Sequence, residues 1–279
     1  MTDTLALIRG SIDSLRNSEK KVAKCVLGDP GSVITSSITE LAEKSGTSEP
    51  TVIRFCRKLG LGGYMELRLN LARDLPSTQY IFENISDGDS LAGIAGKVLN
   101  AHREAISNTL TKLNLDDLDA AVSALQSARR IEFYGLGGSA IVARDAHHKF
   151  FRLGIPCAAH DDTHMQVMSA SLLSSEDVVV VISHTGSTKD IIDSAKIARK
   201  AGAKVIGIIG SENAPLLKFC DIALSVHSQE AALRLAPMTS RLVQLAIIDV
   251  LFVAVAMKNI NGTKERLDRV KRSLVDKRY

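Results

Sequence analysis

The chain has 279 residues and a mass of 30.0 kDa, which predicts about two ordinary domains and one function built from two parts. Its 45% hydrophobic and 24% charged residues are typical of globular proteins and exclude a chain that is disordered throughout. The net charge of +4 is too small to indicate a polyanionic partner, so any argument for nucleic acid must come from local pattern.

The first 76 residues form the first predicted domain. Their apolar residues recur with helical periodicity, broken at Pro30, Gly46 and Gly60, which predicts a compact all-helical unit. The amino terminus does not resemble a secretory signal, so we expect a cytoplasmic protein.

The segment Pro76 to Ser90 has the composition of a linker, and residues 77–114 are predicted as this linker and a connecting helix.

Within this domain the sequence predicts two short helices joined by a glycine turn at Gly46. Their buried faces are marked by Ile38, Leu41, Ala42, Val52, Phe55, Cys56 and Leu59. Two helices joined by such a turn form a helix-turn-helix. Thr47 or Ser48 can cap the second helix, and Pro50 falls in its first turn, where the missing N–H does no harm.

The outward face of the second helix is predicted to be basic. Helical geometry places Arg54, Arg57 and Lys58 away from the apolar face. Guanidinium and ammonium groups there suit contact with phosphates and guanine edges in a DNA major groove. An ordinary helical hairpin with a solvated basic face gives the same pattern, so the shape alone leaves both interpretations open.

The run ITELAEKSGTSEPTVIRFCRKLGLGGYMELRLNLARDL resembles the amino-terminal domain of the RpiR family of transcription regulators. This resemblance implies that the second helix is a recognition helix, which contains Pro50, and that the partner is a double-stranded DNA operator. The residues predicted to contact DNA are Thr47, Ser48, Glu49, Thr51, Arg54, Arg57 and Lys58. Which of them contact bases and which contact phosphates stays open.

Beyond the linker, helical periodicity covers Leu91 to Leu113 and Leu115 to Ala128, and short β-branched runs then alternate with helices. The predicted strands are Ile131 to Gly135, Ile155 to Ala159, Val178 to Ser183, Val205 to Ile209 and Ile222 to Val226. Several are apolar on both faces, which predicts a doubly wound parallel sheet covered by helices. Ligands of such sheets bind at the carboxyl ends of the strands, so we expect a site after the first and third strands.

The loop after the first strand, GLGGSA, spans Gly135 to Ala140. Glycines let the backbone approach an anion, and the following helix offers unpaired N–H groups at its amino terminus. We expect Ser139 to cap that helix and to donate its hydroxyl. The loop also satisfies the G-x-G-x-x-A spacing, with Asp161 or Asp162 about 20 residues further on, so a dinucleotide site is an alternative.

The loop after the third strand, SHTGSTKD, spans Ser183 to Asp190 and is rich in hydroxyl groups. Hydroxyls and backbone N–H groups that converge at a strand end form an anion cradle. Two such loops at one crevice suit a phosphate joined to a sugar better than an extended dinucleotide. In isolation, Ser187 and Asp190 also match a helix capping box, with the other hydroxyls as turn residues.

Residues 115–260 resemble the sugar isomerase (SIS) fold, because GLGGSA and SHTGSTKD match its two phosphosugar loops. The resemblance implies a five-stranded, flavodoxin-like sheet that binds a phosphosugar. The predicted ligand-binding residues are Gly137, Gly138, Ser139, Ser183, His184, Thr185, Gly186, Ser187, Thr188 and, after the fifth strand, Glu230.

The order of the domains and the run SHTGSTKDIIDSAKIARKAGAKVIGI are most similar to the HexR branch of the RpiR family. This similarity implies a repressor of hexose and Entner-Doudoroff genes that leaves DNA on binding 2-keto-3-deoxy-6-phosphogluconate. It makes Ser139 and Ser183 the first candidates for contact with the effector. No cofactor is implied.

A phosphosugar isomerase and a nucleotide-binding oxidoreductase are the alternatives. An isomerase needs a base beside the substrate carbon, and the candidates by position are His148, His160, His164, His184 and Glu230. A single histidine is more often a hydrogen-bonded structural residue, so the sequence predicts a sensor with no catalytic residue. The four cysteines lie far apart without a histidine cluster, which predicts no metal site.

The most apolar segment, Leu242 to Met257, is shorter than the roughly 20 residues of a membrane span and contains Gln244 and Asp249. We expect a helix buried within the protein or in the interface of a homodimer, which can pair into a tetramer, and no membrane contact. The predicted sugar-binding domain ends at residue 260, and a charged tail follows over residues 261–279.

Overall fold

The structure is a computed structural model that describes residues 4–74, 85–86, 88–227 and 237–273. Contacts divide the described residues into two compact units, the first ending at Val98 and the second beginning at Leu99. Helix α7 (Leu91–Lys112) crosses this boundary, and helix α8 (Leu115–Ser127) follows it. The predicted domain limits at residues 76, 114 and 260 stay predictions.

The first unit is all-helical, as predicted. Its helices are α1 (Thr4–Ser11), α2 (Asn17–Gly28), α3 (Pro30–Thr35), α4 (Ile38–Lys44), α5 (Glu49–Lys58) and α6 (Tyr64–Asp74), with a short 3-10 helix at Ile12–Ser14. Ile8, Val22, Leu41, Phe55 and Leu67 come from five of these helices and are fully buried together. One apolar core therefore fixes α4 and α5, the two helices of the predicted helix-turn-helix.

The second unit contains a five-stranded, all-parallel sheet in the order β2-β1-β3-β4-β5, which confirms the flavodoxin-like fold. The strands are β1 (Arg130–Gly135), β2 (Cys157–His160), β3 (Asp177–Ser183), β4 (Lys204–Ile209) and β5 (Ile222–Ser225). The edge strand β2 begins two residues later than predicted. Pro156 has no N–H to donate to the sheet and contributes only its carbonyl, which accepts from Ile131.

Helices cover both faces of this sheet. They are α9 (Gly138–Phe150), α10 (Thr163–Ser171), α11 (Lys189–Lys200) and α12 (Thr239–Lys258), together with α8. On β3, Val178, Val180 and Ile182 face α8, α9 and α12, whereas Val179 and Val181 face α10 and α11. The strand is thus buried on both sides, which explains its uninterrupted apolar sequence.

Helix α12 has 20 residues and is longer at both ends than the predicted Leu242 to Met257. Val243, Ile247, Leu251 and Val255 pack into the core beneath the sheet. Of the described helices, only α12 is long and apolar enough to cross a membrane. Because core helices of folded domains meet the same criterion, this does not indicate a membrane protein.

The segment predicted as a charged tail begins with helix α13 (Ile260–Arg272). Arg266 donates from Nη1 to the carbonyl oxygen of Leu153 at 2.8 Å, and Thr263 is buried. The described part of this segment is therefore a mostly exposed helix that is anchored to the second unit by Arg266 and Thr263.

A buried carboxylate fixes the start of β3. Asp177 accepts hydrogen bonds from Arg129 Nη2 at 2.7 Å and from the backbone N–H and hydroxyl of Ser174 at 2.8 and 3.0 Å. Burial raises the pKa of Asp177, but these hydrogen bonds and the Arg129 charge outweigh it and hold the pKa below 3.8. The resulting stabilisation is present above the unfolded pKa and is lost as the pH falls through the lower folded pKa.

Asp177→Asn should lower the free energy of unfolding at pH 7 by about 1–3 kcal/mol, because it removes a buried charged acceptor. Urea unfolding at pH 7 and at steps down to about pH 3 measures this, and the difference from the parent chain should shrink at the acidic end. Glu176→Gln, a change at the exposed neighbouring residue, is the control and should leave stability nearly unchanged. Equal stability of the Asp177 variant and the parent at pH 7 would contradict this role.

Candidate functional site

The turn between α4 and α5 is tightly determined. Ser37 and Glu40 form a capping box at the start of α4. Gly46 has φ +60°, a conformation that favours glycine, and the N–H of Thr47 donates to the carbonyl of Ala42 at 2.8 Å. The hydroxyls of Ser45 and Thr47 lie 2.8 Å apart. This turn fixes the direction in which α5 leaves α4.

The first turn of α5 is held by side chains. Ser48 occupies the position before the helix, but its hydroxyl contacts the Thr51 hydroxyl at 3.1 Å and makes no capping bond to the backbone. Thr47 does not cap α5 either, so the predicted side-chain cap is absent. Glu49 accepts a hydrogen bond from Thr39 at 2.5 Å, which ties α5 to α4.

Arg54 and Arg57 are exposed on α5, as predicted for the outward face. Arg54 donates from Nη2 to the Thr51 hydroxyl at 2.8 Å, and Thr51 itself is buried. Thr51 is therefore placed to orient Arg54 and does not lie on the exposed face. Ser48 and Glu49 are exposed beside the two arginines, and Thr47 is half-buried.

Lys58 is exposed, as predicted, but its ammonium group also bonds within its own domain. Its Nζ donates to the carbonyl oxygen of Ser14 and lies 3.9 Å from a carboxylate oxygen of buried Glu19. Ser14 ends the 3-10 helix before α2, and Glu19 lies in the first turn of α2, so Lys58 anchors the end of α5 within its own domain. All three cations of α5 are thus exposed, and Lys58 in addition anchors the end of the helix.

The second candidate site lies where β1 and β3 end. These neighbouring strands are in a register that pairs Gly135 with Ile182, so the loops that follow them leave the same edge of the sheet. Helices α9 and α11 begin immediately after these loops and direct the positive ends of their dipoles to that edge. Both loops therefore lie at the carboxyl ends of neighbouring parallel strands, as the sequence predicts. The positive ends of the two helix dipoles make this edge of the sheet suited to an anionic ligand.

Glycines shape the loop after β1. A Cβ on Gly135 would lie 2.4 Å from the carbonyl oxygen of Ser139, and one on Gly138 would lie 2.1 Å from Pro237 Cγ. Gly137 precedes α9 with φ +56°. Ser139 therefore lies inside the first turn and does not cap the helix, contrary to the prediction. Its half-buried hydroxyl is 3.5 Å from Oε1 of Gln244, a long contact that leaves it available to a ligand.

The hydroxyls of the loop after β3 bond within the loop. The Ser183 hydroxyl accepts from the N–H of Gly186 at 3.1 Å and keeps its own proton for donation. Ser187 donates its hydroxyl to the carbonyl of Thr185 at 3.1 Å, so the alternative capping box with Asp190 does not form. Thr185, Ser187 and Thr188 are exposed, and Ser183 is buried at the strand end.

His184 packs against a neighbouring loop. Its carbonyl accepts from the N–H of Gly210 at 2.9 Å, and a Cβ on Gly210 would lie 2.3 Å from His184 Nδ1. The ring thus lies close over that glycine. Glu230, the remaining predicted ligand residue, lies outside the described residues.

Two carboxylates proposed for a dinucleotide have structural partners. Asp161 forms an ion pair with Arg144, and Asp162 caps α10 by accepting from the N–H of Met165 at 2.9 Å. Among the candidate bases, His148 contacts Arg152 at 2.9 Å. The pKa of His160 is lowered, mainly by burial and to a smaller extent by the positive charge of Arg130. The described residues contain no cluster of three or more histidines, cysteines or acidic residues that could hold a metal.

Sequence reasoning missed two buried glutamines near these strand ends. Gln166 donates from Nε2 to the carbonyls of Gly135 and His160, at 3.2 and 2.8 Å, and accepts from the Ser194 hydroxyl at 3.2 Å. Gln244 lies beside Ser139 on α12. For Gln244 the available signal was a lone amide side chain within an apolar helix, which needs a polar partner when buried.

Comparison with known proteins identifies the family. Residues 2–78 match the model of the helix-turn-helix domain, rpiR family, and residues 124–254 match that of the SIS domain. The chain is 37% identical over 276 residues to the HTH-type transcriptional regulator HexR of Escherichia coli K12, covering 99% of this chain and 95% of that protein. The chain belongs to the RpiR family of transcription regulators. The predicted resemblance is thereby confirmed.

Other relatives agree with this assignment. An uncharacterized HTH-type transcriptional regulator of Caldanaerobacter subterraneus is 41% identical over 269 residues, covering 96% of this chain and 95% of that protein. The solved structure of the Vibrio vulnificus NanR protein complexed with ManNAc-6P has a TM-score of 0.80 at 26% identity and covers 99% of each chain. The bifunctional protein glk of Burkholderia thailandensis is 41% identical over 259 residues, and this chain spans 40% of its length.

Gly186→Ala should disrupt the second loop. Gly186 has φ +58°, and a Cβ would lie 2.4 Å from Ala214 Cβ and 3.2 Å from Ile209 Cγ2. Backbone strain and overlap together should lower the free energy of unfolding by about 1–3 kcal/mol. Thermal unfolding measures the change, and Gly28→Ala, where a Cβ meets nothing within 4 Å, is the control. A Gly186 variant as stable as the parent would show that this loop tolerates a side chain.

Proposed function

We propose that this RpiR-family regulator is a cytoplasmic repressor of hexose and central carbon metabolism genes that leaves its operator when a phosphosugar binds. The observation that carries the proposal is the placement of hydroxyls and helix amino termini at the ends of β1 and β3, in a chain that also contains the helix-turn-helix. Such an edge suits a phosphate joined to a polyhydroxyl chain.

For the effector we propose 2-keto-3-deoxy-6-phosphogluconate. The similarity to HexR over nearly the whole chain supports this choice, and the NanR complex with ManNAc-6P shows that a protein of this fold holds a phosphosugar. We propose that the contacts come from both loops, with the hydroxyls of Ser139 and Ser183 donating to the phosphate. Thr185, Ser187 and Thr188 then supply exposed hydroxyls at the rim, with Gly137, Gly138, Gly186, His184 and Glu230 completing the predicted set.

We further propose that the protein is a sensor without enzyme activity and works without a cofactor. The similarity over nearly the whole chain to proteins named as HTH-type transcriptional regulators supports this proposal. An isomerase remains the competing function, and turnover of an aldose phosphate to a ketose phosphate would establish it.

The proposed regulator acts as a homodimer, with pairing into tetramers as a further assembly. Helix α12 supports this, because Val250, Val253 and Met257 are exposed on it at 41%, 55% and 61%. A two-fold dimer binds two half-sites about one helical turn of DNA, or a multiple, apart. Effector binding must favour one arrangement of the dimer over another, which typically involves a coupling energy of about 1–3 kcal/mol.

Arg54→Ala combined with Arg57→Ala should weaken operator binding by more than tenfold and leave effector affinity unchanged. Each exposed guanidinium contributes a phosphate or base contact, and base contacts alone are worth about 1–3 kcal/mol each. Fluorescence anisotropy of a labelled upstream fragment, at fixed salt, measures the affinity. Arg269→Ala combined with Arg272→Ala on α13, an equal change of charge in the second unit, is the control. Unchanged binding, or a footprint of a single asymmetric half-site, would contradict the proposed interface.

Addition of micromolar 2-keto-3-deoxy-6-phosphogluconate should release the DNA, whereas phosphate or unphosphorylated gluconate should not. Ser139→Ala combined with Ser183→Ala should weaken this response by about tenfold or more, since two charge-assisted hydrogen bonds are lost, while DNA affinity is retained. Release by ManNAc-6P instead would keep the phosphosugar sensor and replace the effector. Conversion of a phosphosugar by the protein would move the isomerase to first place.

A further inference from the structure

The side chain of Gln244 is a polar group in the otherwise apolar buried face of α12. Its exposure is 1%, and it lies among Val243, Ile247 and Ile248 on the helix face that packs against the core. Its Oε1 is 3.5 Å from the Ser139 hydroxyl. Its Nε2 is buried and has no hydrogen-bond partner among the described residues. A buried amide with an unpaired donor is unfavourable, so the position calls for a physical reason.

The chemistry of the Ser139 hydroxyl supplies a reason. A serine hydroxyl carries one proton, so it donates one hydrogen bond at a time and accepts others through its lone pairs. In the structure that proton is directed to Oε1 of Gln244 across a long contact. A phosphate oxygen that carries negative charge only accepts, so a bound phosphate requires the same proton. The Ser139 oxygen then faces Gln244 as an acceptor.

The Gln244 amide can change from acceptor to donor without moving its carbon atoms. Rotation by half a turn exchanges Oε1 and Nε2, so that Nε2 donates to Ser139 while Ser139 donates to the phosphate. The donor that lacks a partner in the described structure thereby gains one when the ligand is present. Gln244 thus differs in hydrogen bonding between the empty and occupied site, which is the condition for a residue to report occupancy.

We propose that Gln244 is a positioning residue for the phosphosugar effector, one that holds Ser139 as a donor to the phosphate and transmits occupancy of the site to α12. The proposal rests on the proposed function, because it requires phosphate at Ser139. The link to subunit contact comes from the positions of residues on α12. This helix carries Gln244 near one end and the exposed Val250, Val253 and Met257 toward the other.

The first test replaces the amide by a side chain of similar length without polar hydrogens. Gln244→Met should weaken binding of 2-keto-3-deoxy-6-phosphogluconate about tenfold in isothermal titration, with operator affinity in the absence of effector unchanged. Leu245→Met, at the next residue of α12, is the matched control and should bind as the parent does. Thermal unfolding of both variants verifies that each is folded at the titration temperature.

The second test distinguishes positioning from packing. Gln244→Glu preserves the shape but its carboxylate only accepts, so it repels the phosphate and cannot donate to Ser139. Protonation restores a donor, and burial favours the protonated form. The ratio of parent to variant affinity should therefore fall as the pH is lowered from about 8 to about 5, with both proteins measured at each pH. A purely structural role predicts a ratio that does not change with pH.

A double-mutant cycle tests whether Gln244 acts through Ser139. In the Ser139→Ala background, Gln244→Met should change the affinity by less than twofold, because the hydroxyl that it positions is gone. Additive losses, a Gln244→Met variant that binds like the parent, or a pH-independent ratio for Gln244→Glu would overturn the inference while the proposed function stands. If the parent chain binds neither the phosphosugar nor inorganic phosphate, the proposed function fails and this inference fails with it.

Discussion

The parallel register between β1 and β3 is the constraint on which the effector site depends. It brings two loops to one edge of the sheet, although more than 40 residues separate them along the chain. Both faces of the middle of β3 are apolar, so the hydrophobic pattern of the strand alone does not distinguish one register from the next. At the start of the strand, buried Asp177 accepts from Arg129, the residue before β1, and this bond joins the two strands in the observed register.

In the DNA-binding domain, too, apolar residues set the position of an element and polar residues add specific contacts. The buried face of α5 contributes Val52 and Phe55 to the domain core, and this sets the position of the helix. Two polar side chains add further contacts. Lys58 anchors the carboxyl end of α5 to the start of α2, and Thr51 accepts a hydrogen bond from the guanidinium of Arg54. Cations on one helix face therefore have different roles, depending on whether a carbonyl or carboxylate of the same domain lies within reach.

Much of the fold could be predicted because it rests on periodic patterns. Buried strands, the helix-turn-helix and the two ligand loops follow from apolar spacing and glycine positions, and the family resemblance supplied the order of the strands. The details that failed depend on three-dimensional neighbours. Ser139 does not cap α9 because Gly137 takes that position with positive φ, and the Ser187 hydroxyl bonds to Thr185 inside its own loop. Gln244 could not be recognised until Ser139 was placed beside it.

In the proposed mechanism, helix α12 connects the effector site to the subunit contact. Its buried face ends beside the loop after β1, and its exposed apolar residues lie further along the same rigid element. If this helix moves as a unit, a change of hydrogen bonding at Gln244 and a change of the proposed subunit contact are linked in free energy. Linkage is reciprocal: whatever factor the phosphosugar imposes on operator affinity, the operator imposes on affinity for the phosphosugar. A regulator built in this way must therefore bind its effector more weakly on DNA than in solution, and by that same factor.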